Sequence, residues 1–100
     1  MSNIQAHPFI GRYVIIRTYS EGVHIGVLRR FEGREVELTD CRRIWSWQGA
    51  NTLHEIALRG VHTGSRVSEA IEAILLTQAG EIIPVTPEAE ANLRAAGWAA

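Results

Sequence analysis

From Arg12 to Cys41 the sequence alternates apolar and polar residues in three stretches, separated by two glycine-bearing turns. A period of two places successive side chains on opposite faces of a strand, so this pattern commits the first part of the chain to extended structure. Arg12 to Tyr19 is rich in β-branched and aromatic residues, which favour strands. Ser20-Glu21-Gly22 turns the chain. Within Val23 to Phe31, Val23, Ile25, Val27 and Arg29 share one face, and His24, Gly26, Leu28 and Arg30 the other. Glu32-Gly33-Arg34 turns it again, and Glu35 to Cys41 sets Val36 and Leu38 against Glu35, Glu37 and Thr39. Three strands with short connections predict an antiparallel meander.

Arg42 to Trp47 extends this sheet in prediction, with Ile44 on one side and Trp45 and Trp47 on the other. Gly49-Ala50-Asn51 breaks the strand, and Thr52-Leu53-His54-Glu55 fits a capping box, followed by a helical stripe of Leu53, Ile56 and Ala57. Gly60 stops that helix. Val67 to Leu76 fits either a helix or a strand; the density of Ile, Leu and Thr over 71–77 favours strand. Gln78-Ala79-Gly80 then turns into a short strand from Glu81 to Val85, where Pro84 suits an edge. Thr86, Pro87, Glu88 and Glu90 open a last helix that runs to about Ala96 and ends at Gly97, with Trp98 packing back on the domain. Residues 1–11, punctuated by Pro8 and Gly11, read as a flexible lead-in, and 12–100 as a single domain. Five or six strands in so short a chain predict an α+β fold: a small, strongly bent antiparallel sheet or barrel-like domain with one short helix and a C-terminal helix.

The formal charge is −1, which argues against bulk DNA or RNA and against anionic membrane as partners. The balance is uneven: residues 1–66 hold nine arginines against six acids, and residues 67–100 hold one against five. Every basic residue is arginine, whose planar fork suits carboxylates and phosphates and stacks on rings. The single cysteine, Cys41, excludes an internal disulfide framework and reads as a small core filler. No basic-then-apolar leader and no apolar run of membrane-spanning length occurs, so the chain is expected to be cytoplasmic, without a membrane anchor.

Catalytic and cofactor signatures are missing. His24, Cys41, His54 and His62 are separated by 17, 13 and 8 residues, which matches no zinc spacing, so no metal is expected. There is no Gly-x-Ser-x-Gly elbow. Glu35 and Glu37 share a strand face as alternating solvent-facing residues do. Asp40 is the only aspartate, which disfavours magnesium-dependent phosphoryl chemistry. Gly22-Val23-His24-Ile25-Gly26 crosses a turn and strand and forms no phosphate loop. The expectation is a protein that is not an enzyme and carries no cofactor.

What survives is the segment from Arg42 to Glu55. A planar ring can stack on Trp45 or Trp47, a phosphate can be held by Arg42 or Arg43, and Gln48, Asn51 and His54 offer polar groups to a base edge. These seven residues form the expected ligand-binding set, for a small anionic nucleotide. The competing reading makes Trp45 and Trp47 core or subunit-interface anchors and pairs Arg42 and Arg43 with Glu35 or Glu37 across strands. Small domains often gain stability by oligomerising, and a homo-oligomer is expected.

The runs Gly22 to Leu28, Gly33 to Leu38, Arg42 to Ala50 and Leu76 to Pro84 resemble a family of small proteins carried by bacteriophages and prophages. The likeness covers roughly residues 12–86, and Arg-Ile-Trp-x-Trp-x-Gly-Ala is its most specific part. That resemblance implies a phage accessory protein acting in the host cytoplasm, of a kind that binds and sequesters a nucleotide immune signal without catalysis. The alternatives it leaves open are a virion or assembly component and an inhibitor that binds a host protein.

Overall fold

A computed structural model describes residues 8–97. The elements, in order, are β1 (Tyr13–Thr18), β2 (Val23–Glu32), β3 (Glu35–Ser46), α1 (Leu53–Arg59), β4 (Arg66–Val67), β5 (Ile71–Leu76), β6 (Ala79–Pro84) and α2 (Pro87–Ala95). The meander forms as its alternation predicts: β1 pairs with β2 and β2 with β3, both antiparallel. The ambiguous segment resolves as a two-residue β4 and then β5. Residues 8–11 form a turn, whose Gly11 amide donates to the Leu28 carbonyl at 2.8 Å. The rest of the expected lead-in, and Trp98, lie outside the described residues.

The two faces of the sheet carry separate apolar clusters. Tyr13, Ile15, Ile25 and Ile44 point to one face and meet Leu53, Ile56, Ala57, Ala89 and Leu93 of the two helices. Val14, Ile16, Leu28, Val36, Leu38, Cys41 and Leu76 fill the other face, flanked by Phe9, Phe31 and Ile82. Strict alternation would separate Cys41 from Leu38, yet both lie in this cluster. The register between Ile25 and Val27 of β2 slips against Arg42 and Thr39 of β3, and Asp40 adopts a φ of 52°. This extra residue is a β-bulge, and it reverses the parity of everything after it. Gly26 opposite permits the close approach, since a Cβ there would lie 2.9 Å from the Thr39 carbonyl oxygen.

The expectation of a strongly bent or barrel-like sheet is corrected. The pairing path runs β4-β3-β2-β1-β6, with β5 on β3, and among the described residues no ladder joins β6 to β4 or β5. The sheet is α+β and antiparallel, but open and not strongly curled. β4 and β5 share one edge of β3, lying end to end along it rather than side by side. Six strands therefore give the width of only five, and closure requires each flank to find the other.

Both helix starts match their sequence signals. Thr52 Oγ1 accepts from the Glu55 amide at 3.3 Å, while the Glu55 carboxylate accepts from the Asn51 amide at 2.8 Å, one residue earlier than in a strict capping box. Gly60 caps the end at φ 85°, and Asn92 closes on it from α2, bonding both the amide and the carbonyl of Val61 at 2.8 and 2.9 Å. Thr86 caps α2, whose C-cap is Ala96 rather than Gly97. Among the described residues no helix is long and apolar enough to cross a membrane.

Candidate functional site

The seven residues expected to bind a ligand do not converge. Arg42 lies on the helix-covered face, where its guanidinium holds main-chain carbonyls: Nε donates to Ser68 at 2.7 Å, Nη1 to Leu93 at 2.8 Å and Arg94 at 3.2 Å, and Nη2 to Ala96. The Leu93, Arg94 and Ala96 carbonyls lie at the end of α2, where a cation also complements the helix dipole. Arg43 points to the opposite face and stacks over Trp45, with its guanidinium carbon 5.3 Å from the ring centroid. Trp45 is 58% exposed.

Trp47 parts from Trp45. It follows the end of β3 and packs on the cluster beneath the helices, so the two rings do not share a strand face as predicted. Gln48 is exposed and its main chain is bound to the 62–65 loop: its amide donates to Ser65 Oγ at 2.8 Å, and its carbonyl accepts from the His62 amide at 3.0 Å. Asn51 and His54 are exposed at the start of α1. Among the described residues neither Glu35 nor Glu37 forms an ion pair with Arg42 or Arg43, and Glu37 engages Arg29 and Arg30. Arg42 lines a concavity with Tyr13, Asp40, Glu69, Ala70 and Arg94.

A second aromatic–arginine pair was not singled out by the sequence. Three turns meet at one place. Tyr19 donates its amide to the Gln78 carbonyl at 3.1 Å, and Ala79 donates to the Arg34 carbonyl at 3.0 Å. Ser20 Oγ lies 2.9 Å from Gln78 Oε1, and Thr77 Oγ1 donates to the Glu21 carboxylate at 3.2 Å. At this junction Tyr19 is 69% exposed, and the Arg34 guanidinium carbon is 5.4 Å from its ring centroid. A concavity of about 340 Å³ beside it is lined by Arg17, Thr18, Tyr19, Gly80 and Glu81. The sequence signal was there, an aromatic residue at a turn and an arginine in the next turn, but only their tertiary meeting makes them a pair. Such a surface stacks a planar ring and offers charge to a phosphate.

Among the described residues no group of three or more His, Cys, Asp or Glu side chains is placed to hold a metal ion. His24 and Cys41 do meet, inside the second cluster, with Nδ1 4.0 Å from Sγ. His24 Nε2 lies 2.8 Å from the Glu21 carbonyl oxygen and donates to it.

The family described as a domain of unknown function, DUF6948, matches residues 11–93. The chain belongs to that family. No curated protein matches it. A solved structure, that of a heptameric archaeal Sm protein bearing on the eukaryotic snRNP core, is similar with a TM-score of 0.53 and 18% identity, over 79% of this chain and 93% of that one. At this identity the likeness shows the fold. It also corrects the exclusion of bulk DNA and RNA drawn from net charge, since that fold occurs in a protein tied to an snRNP core. Net charge averages over faces that a partner meets singly. Fields between exposed charges fade over roughly 8–10 Å at physiological salt, so the acids of α2 do not cancel arginines elsewhere on the surface.

Proposed function

We propose that this chain is the non-catalytic subunit of a homo-oligomer that holds a nucleotide or single-stranded RNA on arginine-stacked aromatic rings. The observation that carries the reading is the outer flank of β5. Among the described residues this strand pairs only with β3, and it carries Ile71 and Leu75, 52% and 48% exposed. Unpaired apolar strand edges are templates for another strand, and soluble proteins rarely leave them bare. The opposite flank of the sheet is β6, which among the described residues pairs only with β1. Two dissimilar flanks on one subunit make a head-to-tail contact, which closes into a ring when the rotation allows. The heptameric state of the similar Sm protein supports this assembly.

Within the ring, the Tyr19–Arg34 and Arg43–Trp45 pairs supply stacking and charge. The narrower role is that of a phage accessory protein sequestering a nucleotide signal of host immunity, which rests on the resemblance of the Arg42–Ala50 run. Light scattering on purified protein tests the assembly: a mass several times 11.1 kDa is expected, and the Ile71→Lys, Leu75→Lys double variant should return it to one chain. A monomeric wild-type protein would end the ring reading. Fluorescence anisotropy with labelled single-stranded RNA, and native mass spectrometry with cyclic and linear nucleotides, test the ligand; an assembly that retains none of them is a structural component only.

A further inference from the structure

The two arginine–aromatic pairs meet at one turn. Residues 19–22 join β1 to β2. Tyr19 opens the turn, and Arg34 lies over its ring, 5.4 Å from the centroid. Gly22 closes it, and Arg43 of β3 lies against this glycine: a Cβ added there would stand 2.7 Å from Arg43 Nη2. The same guanidinium lies over Trp45, 5.3 Å from its centroid. The absence of a side chain at Gly22 is what lets Arg43 rest between the turn and the indole.

The turn is fixed from several sides. Thr18 Oγ1 donates to the Gly22 carbonyl at 2.8 Å and accepts from the Glu21 amide at 2.7 Å. His24 holds the Glu21 carbonyl from β2. The Glu21 carboxylate accepts from the Thr77 amide at 3.3 Å and from its hydroxyl at 3.2 Å. Yet Tyr19 and Trp45 stand 69% and 58% exposed on either side of this frame. Three residue steps from Tyr19 to Gly22 reach at most about 11 Å, and the Arg43 guanidinium continues from Gly22 to Trp45. The rings are therefore held at a set separation, and their ordering is complete before anything binds.

A mononucleotide has one base and occupies one ring. Two rings at a fixed separation on one subunit, each beside its own arginine, match two bases of one strand with phosphates between them. We infer that the 19–22 turn carries a continuous track for a single-stranded oligonucleotide, which stacks on Tyr19 and on Trp45 of the same chain and passes its phosphates along Arg34 and Arg43. The track takes on the order of four nucleotides, the lower end for small β domains that bind single strands. Stacking accepts any base, so the track tolerates sequence variation. The inference rests on the nucleotide reading of these two surfaces and chooses within it: the ligand is a strand, and a mononucleotide fills only part of the site.

The test uses the full chain with oligoadenylates of one, two and four nucleotides. The tetranucleotide should bind at least tenfold tighter than the mononucleotide. Tyr19→Ala and Trp45→Ala should each weaken the tetranucleotide about tenfold, and together about a hundredfold, as two independent stacked bases do. Both rings are exposed, so the melting temperatures should stay level, which separates lost binding from lost folding. Arg43→Ala should lower the slope of log affinity against log salt by about 0.7. Coexpression of the two single variants gives assemblies in which no chain has both rings, and these should bind the tetranucleotide no better than either variant alone. Restored binding in the mixture would put the two bases on neighbouring subunits and overturn the single-chain track. A mononucleotide that binds as tightly as the tetranucleotide, or a tetranucleotide unmoved by either variant, would overturn the track and leave the nucleotide reading intact. Failure of every length to bind at millimolar concentration would overturn both.

Discussion

Arg42 and Arg43 are neighbours in the chain and opposed in space: one guanidinium grips the last carbonyls of α2, and the other lies over Trp45 on the far side of the sheet. Period-two alternation separates them, and the bulge at Asp40 decides which goes where. Without that extra residue Arg42 would fall on the face of Leu38 and Arg43 would meet the helices. A pair that reads as a single phosphate clamp is in this way divided between holding the fold and presenting a surface.

The division predicts unequal costs. Arg42→Met should destabilise the protein by about 2–4 kcal/mol, because carbonyls at the end of α2 and of Ser68 lose charge-assisted partners. Arg43→Met removes an exposed stacking contact and should cost only about 0.5–1 kcal/mol. Urea unfolding of the two variants measures the difference directly; equal costs would contradict the assignment of Arg42 as the helix anchor.

Asp40 offers a test of the bulge. Its φ of 52° is paid in backbone strain, so Asp40→Gly should be more stable than Asp40→Ala by about 1 kcal/mol, although both lose the ion pair to Arg94. Asp40→Val should be the least stable of the three, since a branched Cβ is the most crowded in a left-handed conformation. Thermal melts of the series rank them.

Burial, with a smaller contribution from Asp40, pushes the Cys41 thiol up from 9.0 to about 11. The raised value means that the native state keeps a proton the unfolded chain releases near pH 9. Stability from this group is therefore complete below pH 9 and falls as pH rises from about 9 towards 11. Cys41→Ala should flatten that part of the stability profile. Iodoacetamide at pH 8 should modify the unfolded protein far faster than the native one, because the native thiol is both neutral and buried.

For the ligand surface, Tyr19→Ala should weaken single-stranded RNA or nucleotide binding about tenfold, in keeping with about 1–3 kcal/mol for one stacked base. Arg34→Ala should weaken it and also reduce its dependence on salt, since it removes one positive charge from the contact. Binding that is unmoved by both, and lost in Trp45→Ala, would assign the grip to the Arg43–Trp45 pair instead.

The sequence by itself determined what is local. Alternation over 12–41 sets the meander, the Thr52 and Thr86 caps set the helix starts, and Gly60 ends α1, because each depends on residues a few positions apart. Tertiary structure alone decided the rest. The bulge at Asp40 reversed the faces of β3, and Trp47 left the strand for the core while Trp45 stayed outside. Sharing of one edge of β3 by β4 and β5 left the sheet open. Tyr19 met Arg34, and Tyr13 met Arg94, only because separate turns and a distant helix were brought together. Register and flank pairing are long-range choices, set by which apolar sets can be buried at once, and no window of sequence contains both halves of such a choice.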